Sequence, residues 1–186
     1  MDVRTAANLI RAAVPPGAAT WADLGAGSGT FTRALLTLLG PEGRVFAVDK
    51  DASALVELRE AIGETALGAR VVPLHHDFRK PHEFPPLDGV LLANALHFVA
   101  PDEQAAVLTR LKNSLRPEGR LVVVDYDGRA ANAWVPHPVS QRRLADLFEA
   151  IGLAPPFIAG IRPSRYGGTL YAAWSAVSGS SSDKRA

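Results

Sequence analysis

The stretch Trp21–Thr32, WADLGAGSGTFT, decides the fold. Gly25, Gly27 and Gly29 stand at alternate positions between an apolar run and a segment of helical character. Without a Cβ, glycine takes backbone angles closed to other residues and lets a ligand approach the chain. The helix starting near Gly29 aims its first N–H groups and positive dipole end at the same space. Strand, glycine loop and helix N-terminus in that order predict a site for an anionic or strongly polar ligand.

Working outward, Arg4–Val14 has apolar residues at helical spacing and stops at Pro15-Pro16-Gly17. After the loop, RVFAVD (Arg44–Asp49) is a second strand, and Asp51–Gly63 a helix that Asp51 or Ser53 can cap. Ala69–Asp77 and Asp88–Leu96 are a third and a fourth strand. A long helix spans about Asp102 to Leu115, and Gly119–Asp127 is a fifth strand of nearly continuous apolar character. Strands that alternate with helices and are apolar on both sides predict a parallel sheet covered on both faces. The rhythm then changes. Ser140–Gly152 is a helix, but Pro156–Pro163 and Gly168–Val177 are two strands with only a short loop between them, so one runs antiparallel.

The composition narrows the classes. The 186 residues are 47% hydrophobic and 21% charged, as in an ordinary soluble domain. A net charge of +1 argues against a nucleic acid or anionic membrane partner. The absence of cysteine excludes disulfides, thiolate metal sites and cysteine nucleophiles. No run is long enough for a membrane span and no secretory signal opens the chain, so a cytoplasmic protein is expected. One domain over residues 1–177 is expected, with residues 1–18 as N-terminal helix and linker and 178–186 as a disordered tail.

The spacing of the glycines separates two ligand classes. A dinucleotide loop, G-x-G-x-x-G, needs its third glycine where Thr30 stands. Here it is Gly29, and Asp23 precedes the loop. Asp49, ending the second strand, is placed to accept hydrogen bonds from ribose hydroxyls, or to cap the next helix. Asp77, in HHDF (His75–Phe78), can receive an exocyclic amine such as that of adenine, with Phe78 against the ring. A metal on His75, His76 and Asp77 is set aside, since adjacent strand residues face opposite ways.

These motifs in this order resemble the class I S-adenosylmethionine-dependent methyltransferases. The resemblance rests on DLGAGSG, VFAVDKD, HHDF, GVLLANALHFV, LRPEGRLVVVDYD and the closing hairpin, and covers roughly Ala19 to Val177. It implies a Rossmann-like α/β/α sandwich whose seven-stranded sheet is ordered 3-2-1-4-5-7-6, with the last strand antiparallel. It also implies S-adenosyl-L-methionine as cofactor and S-adenosyl-L-homocysteine as product. Asp23 with the Gly25-Ala26-Gly27 backbone would hold the methionine part, Asp49 with Lys50 the ribose, and Asp77 and Phe78 the adenine. Asn94 would lie along the cofactor.

The sulfonium methyl is already activated, so such a protein chiefly brings a nucleophile into line with it. His97, just after the fourth strand, is the candidate base; a histidine packed in the loop is the other reading. Tyr126, Trp134 and His137 in the segment after the fifth strand, with Arg165 and Tyr166 in the hairpin connection, are candidate substrate contacts. Asn94-Ala95-Leu96-His97 differs from the Asn/Asp-Pro-Pro-Tyr type of nucleobase methylation, which favours a small-molecule acceptor over nucleic acid. The substrate site is expected to be open or closed by a second copy in a homodimer. Two other classes compete: an NAD(P)-dependent oxidoreductase, against which Gly29, Asp77 and the hairpin count, and a non-catalytic protein that binds the cofactor.

Overall fold

The computed structural model describes residues 1–63, 70–164 and 167–179. The elements are α1 (Val3–Ile10), β1 (Thr20–Leu24), α2 (Thr30–Leu39), β2 (Arg44–Asp49), α3 (Ala52–Ile62) and β3 (Val71–His75). They continue with β4 (Leu87–Ala93), α4 (Gln104–Asn113), β5 (Leu115–Asp127), α5 (Gln141–Ala150), β6 (Phe157–Pro163) and β7 (Thr169–Ala176). The sheet is seven-stranded, ordered β3-β2-β1-β4-β5-β7-β6. Strand β7 runs antiparallel to both neighbours, and the other pairings are parallel. The order reverses between β1 and β4, where an open α/β sheet forms its crevice.

Alternation along the strands divides the core. Trp21, Val45, Leu91, Val122 and Ala172 face α1 and α2, while Leu24, Val48, Leu92, Val123 and Tyr171 face α4 and α5. Helix α3 packs on Ala47 through Leu58 and Ile62. No helix fills the β3–β4 crossover; Phe78 and Phe84 from that segment cover the sheet instead. Strand β3 is an edge strand, which tolerates Pro73 because its missing N–H is not needed by a further neighbour. Asp51 caps α3 through the Ser53 N–H at 2.9 Å, and Ser140 caps α5 through the Arg143 N–H at 3.1 Å.

Two boundaries differ from the sequence expectation. The helix expected over Asp102–Leu115 forms over Gln104–Asn113. Strand β5 begins at Leu115, four residues ahead of Gly119, because Leu115 pairs with Leu87 before a register shift. Glu118, at φ 65°, absorbs that irregularity. Most of the expected tail, residues 180–186, lies outside the described residues.

Candidate cofactor and acceptor site

All three glycines have positive φ, and two of them also sit where a side chain would clash. A Cβ on Gly25 would lie 2.8 Å from Cβ of Ala95, so the loop after β4 packs directly on this turn. A Cβ on Gly29 would lie 2.8 Å from Leu58, where α2 meets α3. Only at Gly27 would a Cβ meet open space; its φ of 53° and an exposed approach suit it to a ligand. The loop is held to the end of β2: the Gly25 and Ala26 N–H groups donate to Val48 C=O at 2.8 and 3.0 Å. The Gly27 N–H donates to Asp49 Oδ2 at 2.8 Å, and the Asp51 N–H to Asp49 Oδ1 at 2.9 Å. Asp49 therefore anchors the loop, and each of its oxygens retains capacity for a further donor.

Among the described residues, Asn94 lines three cavities that open at the carboxyl ends of the strands. The first, about 160 Å³, is bounded by Gly25, Asp49, Lys50, Asp77, Phe78 and Arg79. The second, about 250 Å³, lies along Asp23, Gly25, Ala26, Gly27 and Thr30. The third, about 500 Å³, is bounded by His97, Phe98, Tyr126, Arg129 and Trp134. Asn94 holds this junction with φ at 54°, its N–H donating to Val124 C=O at 2.9 Å. Its buried Oδ1 has no partner.

Asp23 is 1% exposed and accepts the Thr32 hydroxyl on Oδ2 at 2.7 Å, while Oδ1 is buried without a partner. Burial pushes this carboxyl up to about 7, opposed by the Thr32 bond and reinforced by the charge of Asp49. Asp77 lies at the other extreme. Its Oδ1 accepts the Arg79 N–H and Nε at 3.0 Å each, and its Oδ2 accepts Nε at 3.1 Å and Nη2 at 2.6 Å. That two-pronged pair holds Asp77 down to about 2, against its partial burial. The acid expected to meet an adenine amine is thus engaged by a neighbour two residues on. His75 Nε2 lies 3.0 Å from Lys50 C=O, tying the ends of β2 and β3 together.

His97, on a short 3-10 turn after β4, is 2% exposed and lies at the wall of the third cavity. Its Nδ1 lies 3.0 Å from Oδ1 of Asp125, which is fully buried near the end of β5. Burial pushes the Asp125 carboxyl up, and the bond and charge of His97 pull it back. The Tyr126 N–H also donates to Asp125 Oδ1, at 2.8 Å. A carboxylate on Nδ1 places the imidazole proton there and leaves Nε2 as the basic nitrogen. Asp125, Arg129 and Asn132 escaped the sequence reading. An acid closing the otherwise apolar run Leu121–Val124 was the available signal for the first.

Of the residues expected to touch substrate, Tyr126 and Trp134 line the third cavity with His97. His137 is brought alongside by its backbone, its N–H donating to His97 C=O at 3.1 Å. Arg165 and Tyr166 lie outside the described residues. Among the described residues, no helix is long and apolar enough to cross a membrane.

A glycine loop, an acid at or just past the end of each of three successive strands and a cavity at the switch point are the arrangement that nucleoside-type sites take in open α/β sheets. The sequence profile of the Methyltransferase domain family matches residues 22–119. The chain belongs to that family, within the class I S-adenosylmethionine-dependent methyltransferases. The carboxy-S-adenosyl-L-methionine synthase of Pseudomonas fluorescens (strain Pf0-1) is 34% identical over 105 residues, covering 54% of this chain and 42% of that protein. The match thus spans less than half the length of that curated relative. The fold is also that of Burkholderia thailandensis 1,6-didemethyltoxoflavin-N1-methyltransferase, solved with 1,6-didemethyltoxoflavin and S-adenosylhomocysteine (TM-score 0.71, 23% identity, 95% of this chain and 78% of that one). It matches a mitomycin 7-O-methyltransferase as well (TM-score 0.68, 22% identity, 93% of this chain and 53% of that one).

Proposed function

We propose that the protein transfers the methyl group of S-adenosylmethionine to a proton-bearing heteroatom, foremost a hydroxyl, of a small molecule, with His97 as the general base. The observation that carries this reading is the buried His97–Asp125 pair on the wall of a cavity that meets the nucleoside-type cavities at Asn94. A base at that place is useful only where the acceptor must lose a proton.

The cofactor fits the residues present. Asp23 Oδ1 and Asn94 Oδ1, buried and without partners beside adjoining cavities, suit a ligand that carries a cationic amine and further donors. Asp23 and the Gly25–Gly27 backbone would hold its amino-acid end, Asp49 with Lys50 the ribose, and Asp77 with Phe78 the adenine. When bound, S-adenosylmethionine supplies a methyl already activated on a sulfonium. Asn94 lines both the cofactor and the acceptor sides, and so fixes the line along which the two meet. Transfer of that methyl to the acceptor's oxygen would release the hydroxyl proton to His97 Nε2, with S-adenosylhomocysteine as the leaving group. Asp125 would keep the imidazole in the required tautomer and balance its charge.

The test is methyl transfer from tritiated S-adenosylmethionine to three separate pools: small phenols and hydroxy-heterocycles, bulk ribosomal RNA, and protein. Label is expected in the small-molecule pool and is expected to fall in His97→Gln. Label confined to RNA or protein overturns the reading.

A further inference from the structure

Among the described residues, the acceptor cavity is lined by aromatic side chains and one cation. Phe98, Tyr126 and Trp134 line it, and about 500 Å³ is room for an acceptor of two or three fused rings. Trp134 is 81% exposed, yet it is not carried on a loose loop. Asn132 Oδ1 accepts the Trp134 N–H at 2.9 Å and the Val135 N–H at 3.1 Å. The Asn132 and Val135 backbones bond each other in both directions at 3.1 Å, and Val135 is 3% exposed. A large ring kept in water by a fixed turn at the mouth of a cavity is a preorganised stacking surface.

The charge comes from Arg129. Its guanidinium carbon lies over the Tyr126 ring, 4.6 Å from the centroid, a cation–π contact that holds the cation at this wall. The Tyr126 ring thus neighbours both this cation and the proposed base, with its centroid 6.0 Å from that of His97. No carboxylate occurs among the described residues lining the cavity; Asp125 is buried behind His97. The field inside is therefore positive beside a row of aromatic faces.

We infer that the acceptor is a planar aromatic hydroxy-acid, its ring stacked along Tyr126 and Trp134, its anionic group held by Arg129 and its hydroxyl presented to His97. The inference rests on the proposed methyl transfer to a hydroxyl and adds to it the charge and shape that the acceptor must have.

A matched pair tests it: 6-hydroxy-2-naphthoate and 6-hydroxy-2-naphthamide have the same rings and hydroxyl, and differ in charge. Methyl transfer from S-adenosylmethionine to each is measured on the full chain and on Arg129→Gln and Arg129→Lys. The acid is expected to exceed the amide at least tenfold in kcat/KM, mainly through KM. Arg129→Gln is expected to bring that ratio below threefold, and Arg129→Lys, which keeps the charge without the fork, to retain a clear preference for the acid. An amide methylated as well as the acid, or a preference that survives Arg129→Gln, overturns the inference while leaving methyl transfer to a hydroxyl intact. Transfer to neither compound overturns both.

Discussion

His97 Nδ1 and Asp125 Oδ1 lie 3.0 Å apart although 28 residues separate them, and at 2% and 0% exposure the pair is closed to water. Parallel pairing of β4 with β5 sets Ala93 opposite Val124, so the turn that follows β4 emerges beside the last residues of β5. His97→Gln removes the proposed base and is expected to lower methyl transfer by about 10²–10⁴-fold, the usual range for a positioned general base. Asp125→Asn keeps the shape but offers a donor to Nδ1, and is expected to lower the rate through the wrong tautomer. In both variants S-adenosylhomocysteine should still bind, as calorimetry would show. An unchanged rate in His97→Gln would reduce the pair to packing.

Asp23 makes stability depend on pH in an unusual direction. Its folded value of about 7 lies above the ordinary 3.8, so the folded chain favours the neutral carboxyl. Below 3.8 folded and unfolded chains both hold the proton; between 3.8 and 7 only the folded chain does, and each unit of rising pH costs stability. The stabilising contribution is lost as pH rises through 7, with a ceiling on the order of 4 kcal/mol at 1.36 kcal/mol per unit. Urea unfolding of wild type and Asp23→Asn at several pH values isolates it. The variant is expected to gain on wild type between acid and neutral pH, and parallel curves would refute the assignment.

Arg79 competes for Asp77. The guanidinium and the Arg79 N–H together use the accepting capacity of both oxygens, so on the proposed reading an adenine amine reaching Asp77 displaces part of the pair. Arg79 is 41% exposed, so the pair is discounted to about 0.5–1 kcal/mol. Arg79→Ala is then expected to tighten S-adenosylhomocysteine about two- to fivefold and to flatten its salt dependence. Weaker binding in Arg79→Ala would instead make Arg79 itself a cofactor contact. Asp77→Asn should weaken binding in either case.

Gly89 sets the distance between β4 and the Trp21 ring beside it. A Cβ there would come 2.3 Å from the indole, and both residues are buried. Gly89→Ala is expected to cost about 2–3 kcal/mol by overpacking and to lower the thermal midpoint by roughly 5–10 °C. Pairing it with Trp21→Leu should recover part of the loss, and simple additivity of the two would argue against the contact.

Local signals carried much of the site. The glycine loop and Asp49 were legible because turn chemistry and a strand's end are written in neighbouring residues, and the loop does close against β2. Asp77 was legible as an acid at a strand end. Its capture by Arg79, although only two residues away, was not, because a side chain's choice between a ligand and a neighbour depends on where the turn directs it. Asp125 was missed for a different reason: in sequence it is one acid after four apolar residues, and only adjacency to β4 turns it into a partner for His97.

The alternation of strands and helices, the antiparallel hairpin at the end and the glycine turn after the first strand are written in the order of the residues. Periodicity, glycine placement and capping act over a few residues, so they survive in one dimension. The tertiary structure alone decided that three cavities meet at Asn94, that His97 pairs with Asp125, and that Arg129 and Trp134 face the same space as that base. Those relations arise from strand order and from loops converging at one edge of a sheet, which bring together side chains that no local pattern links.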